Sequence, residues 1–159
     1  MELPRVHSTS DDLLLRKKKV EQESPLFSFG PGLYFGSPPL EKDLTTAQVT
    51  HIMCLNSLCL CKTFSGAFNR LKVSDSEFSN LLNDFGPAQT FLGSVRKGIL
   101  IHCGLGEMRS PTLAVVYLMV VEKLTLKEAS DRVSSERTVN LTTYWQQLKA
   151  LEKKLKSGG

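Results

Sequence analysis

Cys103 and Arg109 stand six positions apart in His102-Cys103-Gly104-Leu105-Gly106-Glu107-Met108-Arg109-Ser110, and together they are the chain's best candidates for covalent chemistry. The apolar run Ile99-Leu100-Ile101 leads into this stretch, and a long apolar run with helical character, Pro111 to Met119, leaves it. The order is therefore buried strand, glycine-punctuated loop, helix N-terminus. Free backbone N–H groups in such a loop and in the first helical turn converge on one point and cradle an anion. A helix N-terminus beside a guanidinium also favours the thiolate, the nucleophilic form of cysteine. The guanidinium offers a planar fork that matches two phosphate oxygens. The stretch predicts a loop that binds a phosphoryl group through Gly104, Leu105, Gly106, Glu107, Met108 and Arg109, and attacks it with Cys103. The bland alternative is a buried thiol at a strand end with a surface arginine nearby. A histidine before the cysteine, a glycine three after it and Arg-Ser closing the loop make that a poor account.

Transfer of a phosphoryl group to sulfur leaves an alkoxide or phenoxide that needs a proton, so a carboxylic acid is expected beside the cradle. Asp75 is the choice. It follows the strand-like run Phe68 to Val73, and α/β sheets build their sites just past the carboxyl ends of strands. If that strand runs parallel to the one entering Cys103, both end at the same edge. Glu77 and Asp84 are weaker candidates because both fall within the helix expected next.

The chain has 159 residues, enough for one domain with one sizeable core. A hydrophobic fraction of 41% and a charged fraction of 23% place it among ordinary globular proteins. The net charge of +4 is mild and too dispersed to argue for nucleic acid on its own, and no nucleic-acid partner is expected. No apolar run is long enough to span a membrane, and Met1-Glu2-Leu3-Pro4 opens neither a signal peptide nor a myristoylation site. The other cysteines, Cys54, Cys59 and Cys61, lack a second Cys/His pair at zinc spacing, so no metal is expected. They read as reduced thiols, in keeping with a cytoplasmic or nuclear compartment. A role in trapping an oxidised Cys103 is the other reading.

The elements that must position the loop follow in order. Residues 1–25 read as a polar and basic arm, with Leu13-Leu14-Leu15 ahead of Arg16-Lys17-Lys18-Lys19. That basic run is expected to be a solvated face; a nuclear-import signal or a docking site for an acidic groove on a kinase are the alternatives. Residues 26–156 form the expected catalytic domain and 157–159 a tail. Gly30-Pro31-Gly32 is a turn, Leu33 to Phe35 a short strand, Leu40 to Gln48 a short helix, and Val49 to Leu55 a second strand, with His51 structural. A helix over Glu77 to Val95 carries a break at Gly86-Pro87. The helix from Pro111 to Glu122 is apolar nearly all round and therefore buried. Thr125 and Glu128 are spaced as a capping box, and a last helix spans Leu141 to Leu155. Alternating strands and helices predict an α/β fold, a central mixed sheet flanked by helices, with the phosphate loop between a central strand and a buried helix.

At His102 to Ser110 the chain resembles the cysteine-dependent phosphatases, whose loop reads H-C-x-x-G-x-x-R-[ST]. Further similarity, in Leu33-Tyr34-Phe35-Gly36-Ser37, Val49-Thr50-His51-Ile52, Ser110-Pro111-Thr112, Tyr117-Leu118-Met119 and Gln147-Leu148 with Glu152, points to the small dual-specificity branch. The spacing of Asp75 ahead of Cys103 is close to that family's acid-to-nucleophile spacing. The resemblance implies a protein phosphatase for phosphotyrosine and phosphoserine or phosphothreonine, with a phosphorylated protein as substrate and no cofactor. By the same resemblance Cys103 is nucleophile, Arg109 the phosphate clamp and Asp75 the general acid. Ser110 would hydrogen-bond the thiolate, and His102 would hold the loop. Glu107 and Met108 depart from the family's usual residues, and a carboxylate in the cradle would oppose a dianion. A weakly active or inactive phosphoprotein-binding relative is the corresponding alternative. Val139-Asn140 also stands where the family has a Pro-Asn turn.

Overall fold

The computed structural model describes residues 26–37, 39–55, 66–71, 90–103 and 109–158, with the backbone path alone for 68–71. The basic run at Arg16 to Lys19, Cys59, Cys61, Asp75, Glu77, Asp84, the break at Gly86-Pro87 and residues 104–108 lie outside them. Of the helix expected over Glu77 to Val95, the described part is helical at 90–92.

Strands β1 (Leu26–Gly30), β2 (Leu33–Gly36), β3 (His51–Leu55), β4 (Ala67–Leu71) and β5 (Ile99–His102) form one sheet in the order β1-β2-β5-β3-β4. β1 runs antiparallel to β2, whereas β2, β5, β3 and β4 are mutually parallel. The mixed sheet expected from the sequence is present, and β5, the strand that delivers Cys103, lies at its centre. β1 is the one strand the sequence reading did not assign. It is an edge strand with a largely half-buried face, so its apolar pattern is weak. Glu136 occupies that edge by accepting the Ser28 N–H at 2.7 Å, and the Arg137 guanidinium lies 4.8 Å above the Phe27 ring. Both contacts blunt an otherwise open hydrogen-bonding edge.

At the opposite end of the strands two turns interlock. Gly32 has φ +70°, and a Cβ there would sit 2.5 Å from the Lys97 Cβ. Its carbonyl accepts N–H bonds from Gly98 at 2.7 Å and Ile99 at 3.1 Å, so the start of β5 is pinned to the β1–β2 turn. Only glycine meets both the positive φ and the close approach.

Among the described residues, the two faces of the sheet are covered unequally. One carries helices α2 (Arg109–Val120), α3 (Leu126–Val133) and α4 (Trp145–Ser157), packed on Phe35, Met53, Leu55, Ile99 and Ile101. The other carries α1 (Glu41–Thr46), with Leu44 over Val49, Ile52 and Leu100. Period-two alternation along β2, β3 and β5 divides the side chains between these faces.

α2 begins at Arg109, two residues before the expected Pro111. Proline is tolerated in that first turn because the first four N–H groups of a helix have no intrahelical partner. Every residue from Ser110 to Met119 is buried, as the all-round apolar pattern requires. The capping box of α3 is formed: the Thr125 N–H reaches Glu128 Oε1 at 2.9 Å, and the Glu128 N–H reaches Thr125 Oγ1 at 3.1 Å. α4 starts at Trp145, not at Leu141. Asn140 Oδ1 accepts from the Thr142 N–H at 3.1 Å and the Thr142 hydroxyl at 2.6 Å, which holds 140–142 in a side-chain turn instead of a helix. Asn140 thus makes a turn without the family's proline. Glu152 on α4 accepts the Leu126 N–H at 2.7 Å and so supplies a cap to α3 from another helix. Among the described residues, no helix is long and apolar enough to cross a membrane.

Candidate active site

β5 is fully buried over its four residues, and its last residue, His102, hands directly on to Cys103. The Cys103 N–H bonds to the Gly36 carbonyl at 3.0 Å, which extends the β2–β5 ladder one residue into the loop. The Cys103 side chain lies in the three-helix core, on the same face as Ile101. Its sulfur is 3.4 Å from Ser110 Oγ and accepts the Ser110 N–H, also at 3.4 Å. Ser110 is the second residue of α2, so this N–H is one of the free donors of a helix N-terminus.

The Ser110 hydroxyl also lies 3.3 Å from the Gly36 carbonyl. It carries one proton and has two acceptors within reach. With Cys103 protonated, the thiol donates to Ser110 Oγ and the hydroxyl donates to Gly36. With Cys103 ionised, the hydroxyl can turn and donate to sulfur. Arg109, half-buried, opens α2 immediately before Ser110. The described residues therefore set a cysteine sulfur against a hydroxyl and an N–H at the head of α2, whose first residue is Arg109.

A model of the dual specificity phosphatase catalytic domain matches residues 33–154, most of the chain. The chain belongs to the dual-specificity phosphatase family. It is 32% identical over 133 residues to dual specificity protein phosphatase 1 of Arabidopsis thaliana, covering 78% of this chain and 67% of that protein. It is 30% identical over 142 residues to dual specificity protein phosphatase 26 of Bos taurus, covering 80% of this chain and 67% of that one. Some relatives are far larger: the match to a MAP kinase phosphatase with leucine-rich repeats of Dictyostelium discoideum spans 13% of that protein. Among solved structures, human DUSP28 superposes with a TM-score of 0.76 at 25% identity, over 84% of this chain and 97% of that one.

Of the residues singled out from the sequence, the structure brings Cys103 and Ser110 into contact, and places Arg109 next to Ser110 in the first turn of α2. Asp75 and Gly104 to Met108, with Glu107 among them, fall outside the described residues. The condition set for Asp75 is met by the backbone: β4 is parallel to β3 and β3 to β5, so β4 and β5 end at the same edge. His51 sits at the far end of β3, its ring 5.6 Å from that of Phe91, away from the cysteine. Cys54 is buried on β3, opposite His102 in the ladder. Alternation puts it on the face opposite Met53 and Leu55, whereas Cys103 lies on their face. Their Cβ vectors diverge, so Cys54 cannot trap an oxidised Cys103 as a disulfide without backbone movement.

Two participants escaped sequence reasoning. The Gly36 carbonyl is a backbone group, invisible in a residue pattern. Tyr117 donates its hydroxyl to the Val95 carbonyl at 2.6 Å and so ties α2 to the segment that precedes β5. A polar atom at the end of an aromatic in an all-apolar helix was the available signal, since such a group needs a partner when buried.

Proposed function

We propose that this chain is a protein phosphatase that hydrolyses phosphotyrosine and phosphoserine or phosphothreonine through a cysteinyl-phosphate intermediate. The observation that carries this reading is the Cys103 sulfur at 3.4 Å from both the N–H and the hydroxyl of Ser110, at the head of α2. Loop amides and the Arg109 fork hold the phosphate oxygens. The thiolate attacks phosphorus, the S–P bond forms, and the bond to the substrate oxygen breaks. Asp75 gives that oxygen its proton. Water then attacks phosphorus with Asp75 as base, the P–S bond breaks, and the Ser110 hydroxyl stabilises the returning thiolate.

The reach of Asp75 supports its part. β4 and β5 are separated by one strand, roughly 10 Å at about 4.8 Å per strand spacing. The four residues from Leu71 to Asp75 can extend about 13 Å.

The test compares wild type, Cys103→Ser and Asp75→Asn on an aryl phosphate and on phosphotyrosyl and phosphothreonyl peptides. Wild type should release phosphate, and Cys103→Ser should not, while still binding tungstate as a phosphate analogue. Asp75→Asn should lose about 10²–10⁴-fold, and less with good leaving groups, which need the proton least. Substantial turnover by Cys103→Ser would overturn the covalent route. Phosphopeptide binding without turnover by wild type would make the chain a phosphoprotein-binding relative instead.

A further inference from the structure

We propose that Cys54 is a positioning residue for His102 and, through it, for the nucleophile; this rests on the phosphatase reading above. Gly36, His102 and Cys54 form one row across β2, β5 and β3, each in register with the next. Alternation places His102 and Cys54 on the α1 face, opposite the face that holds Cys103. Both side chains are fully buried. Gly36 contributes no side chain, so within this row the imidazole has Cys54 as its one lateral neighbour.

The position matters because the ladder ends here. The peptide that joins His102 to Cys103 carries the last β2–β5 bond, from the Cys103 N–H to the Gly36 carbonyl. Any rotation of that peptide moves the sulfur against the Ser110 N–H. A fixed imidazole on one face restrains the peptide, and the neighbour that fixes the imidazole acts on the sulfur without touching substrate. A thiol suits the task. It is small enough for a packed strand pair, and it can weakly donate or accept toward a ring nitrogen. The competing account is that Cys54 only fills space as a small hydrophobe.

Three replacements separate the two accounts. Cys54→Ser keeps a small donor and acceptor, Cys54→Val fills the space without one, and Cys54→Ala removes both. Each is measured in the full chain for thermal stability, for kcat and KM on an aryl phosphate, and for alkylation of Cys103 by iodoacetamide, read on its own peptide by mass spectrometry. Cys54→Val and Cys54→Ala should lower kcat about tenfold with KM within about threefold, inside the roughly 10²-fold that a 1 Å misplacement costs. Both should slow alkylation of Cys103, and Cys54→Ser should restore most of each effect even if it is less stable. Combined with His102→Asn, Cys54→Val should add little, because both changes act through one side chain. Wild-type kinetics and alkylation in Cys54→Val, or full additivity with His102→Asn, would overturn the proposal. If wild type shows no turnover, the phosphatase reading fails, while alkylation still decides whether Cys54 positions the sulfur.

Discussion

Among the described residues, the two faces of the sheet differ in how much they bury and in what they hold. The three-helix face packs α2 against Phe35, Met53, Leu55, Ile99 and Ile101, and Cys103 belongs to that cluster. The α1 face has a six-residue helix with Leu44 as its buried residue, over Val49, Ile52 and Leu100. Cys103 thus sits on the more heavily packed of these faces, and His102 before it faces the lighter one. That packing surrounds the first turn of α2, and the Cys103 sulfur accepts the Ser110 N–H from the same turn. Among the described residues, buried packing is concentrated around the head of α2, beside the Cys103 sulfur.

The largest expected effect tests that concentration at the head of α2. Arg109→Lys replaces a fork with a point charge and should lower kcat/KM by about 10²–10³-fold, the usual worth of a preorganised donor. Its thermal midpoint should move little. Near-normal kcat/KM would mean that Arg109 does not face the phosphate.

Next come paired truncations, one on each face. Leu113→Ala, fully buried in the three-helix core, should cost about 3–5 kcal/mol by urea denaturation. Leu44→Ala, slightly exposed on a short helix, should cost about 2 kcal/mol, the lower end of the same range. Equal losses would dissolve the distinction between the faces.

Tyr117→Phe should cost about 1 kcal/mol, through loss of the bond to the Val95 carbonyl. Burial holds the Tyr117 hydroxyl above its ordinary value of 10.0, with the Arg96 guanidinium pulling the other way. The phenol therefore keeps its proton longer in the folded chain than in the unfolded one. Its contribution is complete below pH 10.0 and declines as pH rises through the folded value. Thermal midpoints taken upward from pH 9 should fall more steeply in wild type than in Tyr117→Phe, and parallel curves would contradict this.

The smallest expected change lies at the N-terminus of α3. Thr125→Ala should cost about 1 kcal/mol or less, because Glu152 still holds the Leu126 N–H from α4. Hydrogen bonds from the Thr125 backbone and side chain, in that order, hold the Glu128 carboxyl below its ordinary value of 4.5. Its stabilisation is present above that value and lost as pH falls through the folded one, so Glu128→Gln should flatten the acid limb of the stability curve. An unchanged acid limb would mean that the box contributes nothing there.

Much of this was legible in the residues. The apolar run before Cys103, the all-round apolar helix after it and the Thr125–Glu128 spacing each carry a local physical cause, and each appears as expected. β1 did not, because a half-buried edge strand has little alternation to read, and its outer edge is covered by Glu136 and Arg137, far along the chain. The start of α4 was misplaced because Leu141 fits the helical period while Asn140 captures the backbone first. The Gly36 carbonyl could not have been found, since any residue would carry one. The pairing of Cys54 with His102 needed the register, which residue types alone do not set.

The sheet order also says something about how the chain reaches its native state. β5 lies between β2 and β3, yet it is made after both. While the chain is synthesised, β1 and β2 can pair as a hairpin and β3 can pair with β4. The two halves have no strand to join them until residues 99–102 arrive. Contacts of such long sequence separation close slowly, since loop entropy must be overcome before they give any return. The strand that completes the sheet is the one that leads into Cys103, so the thiol meets the N-terminus of α2 only as the final parallel ladders form. A chain stalled before that step would hold two half-sheets with open hydrogen-bonding edges, the form most prone to associate with its own copies.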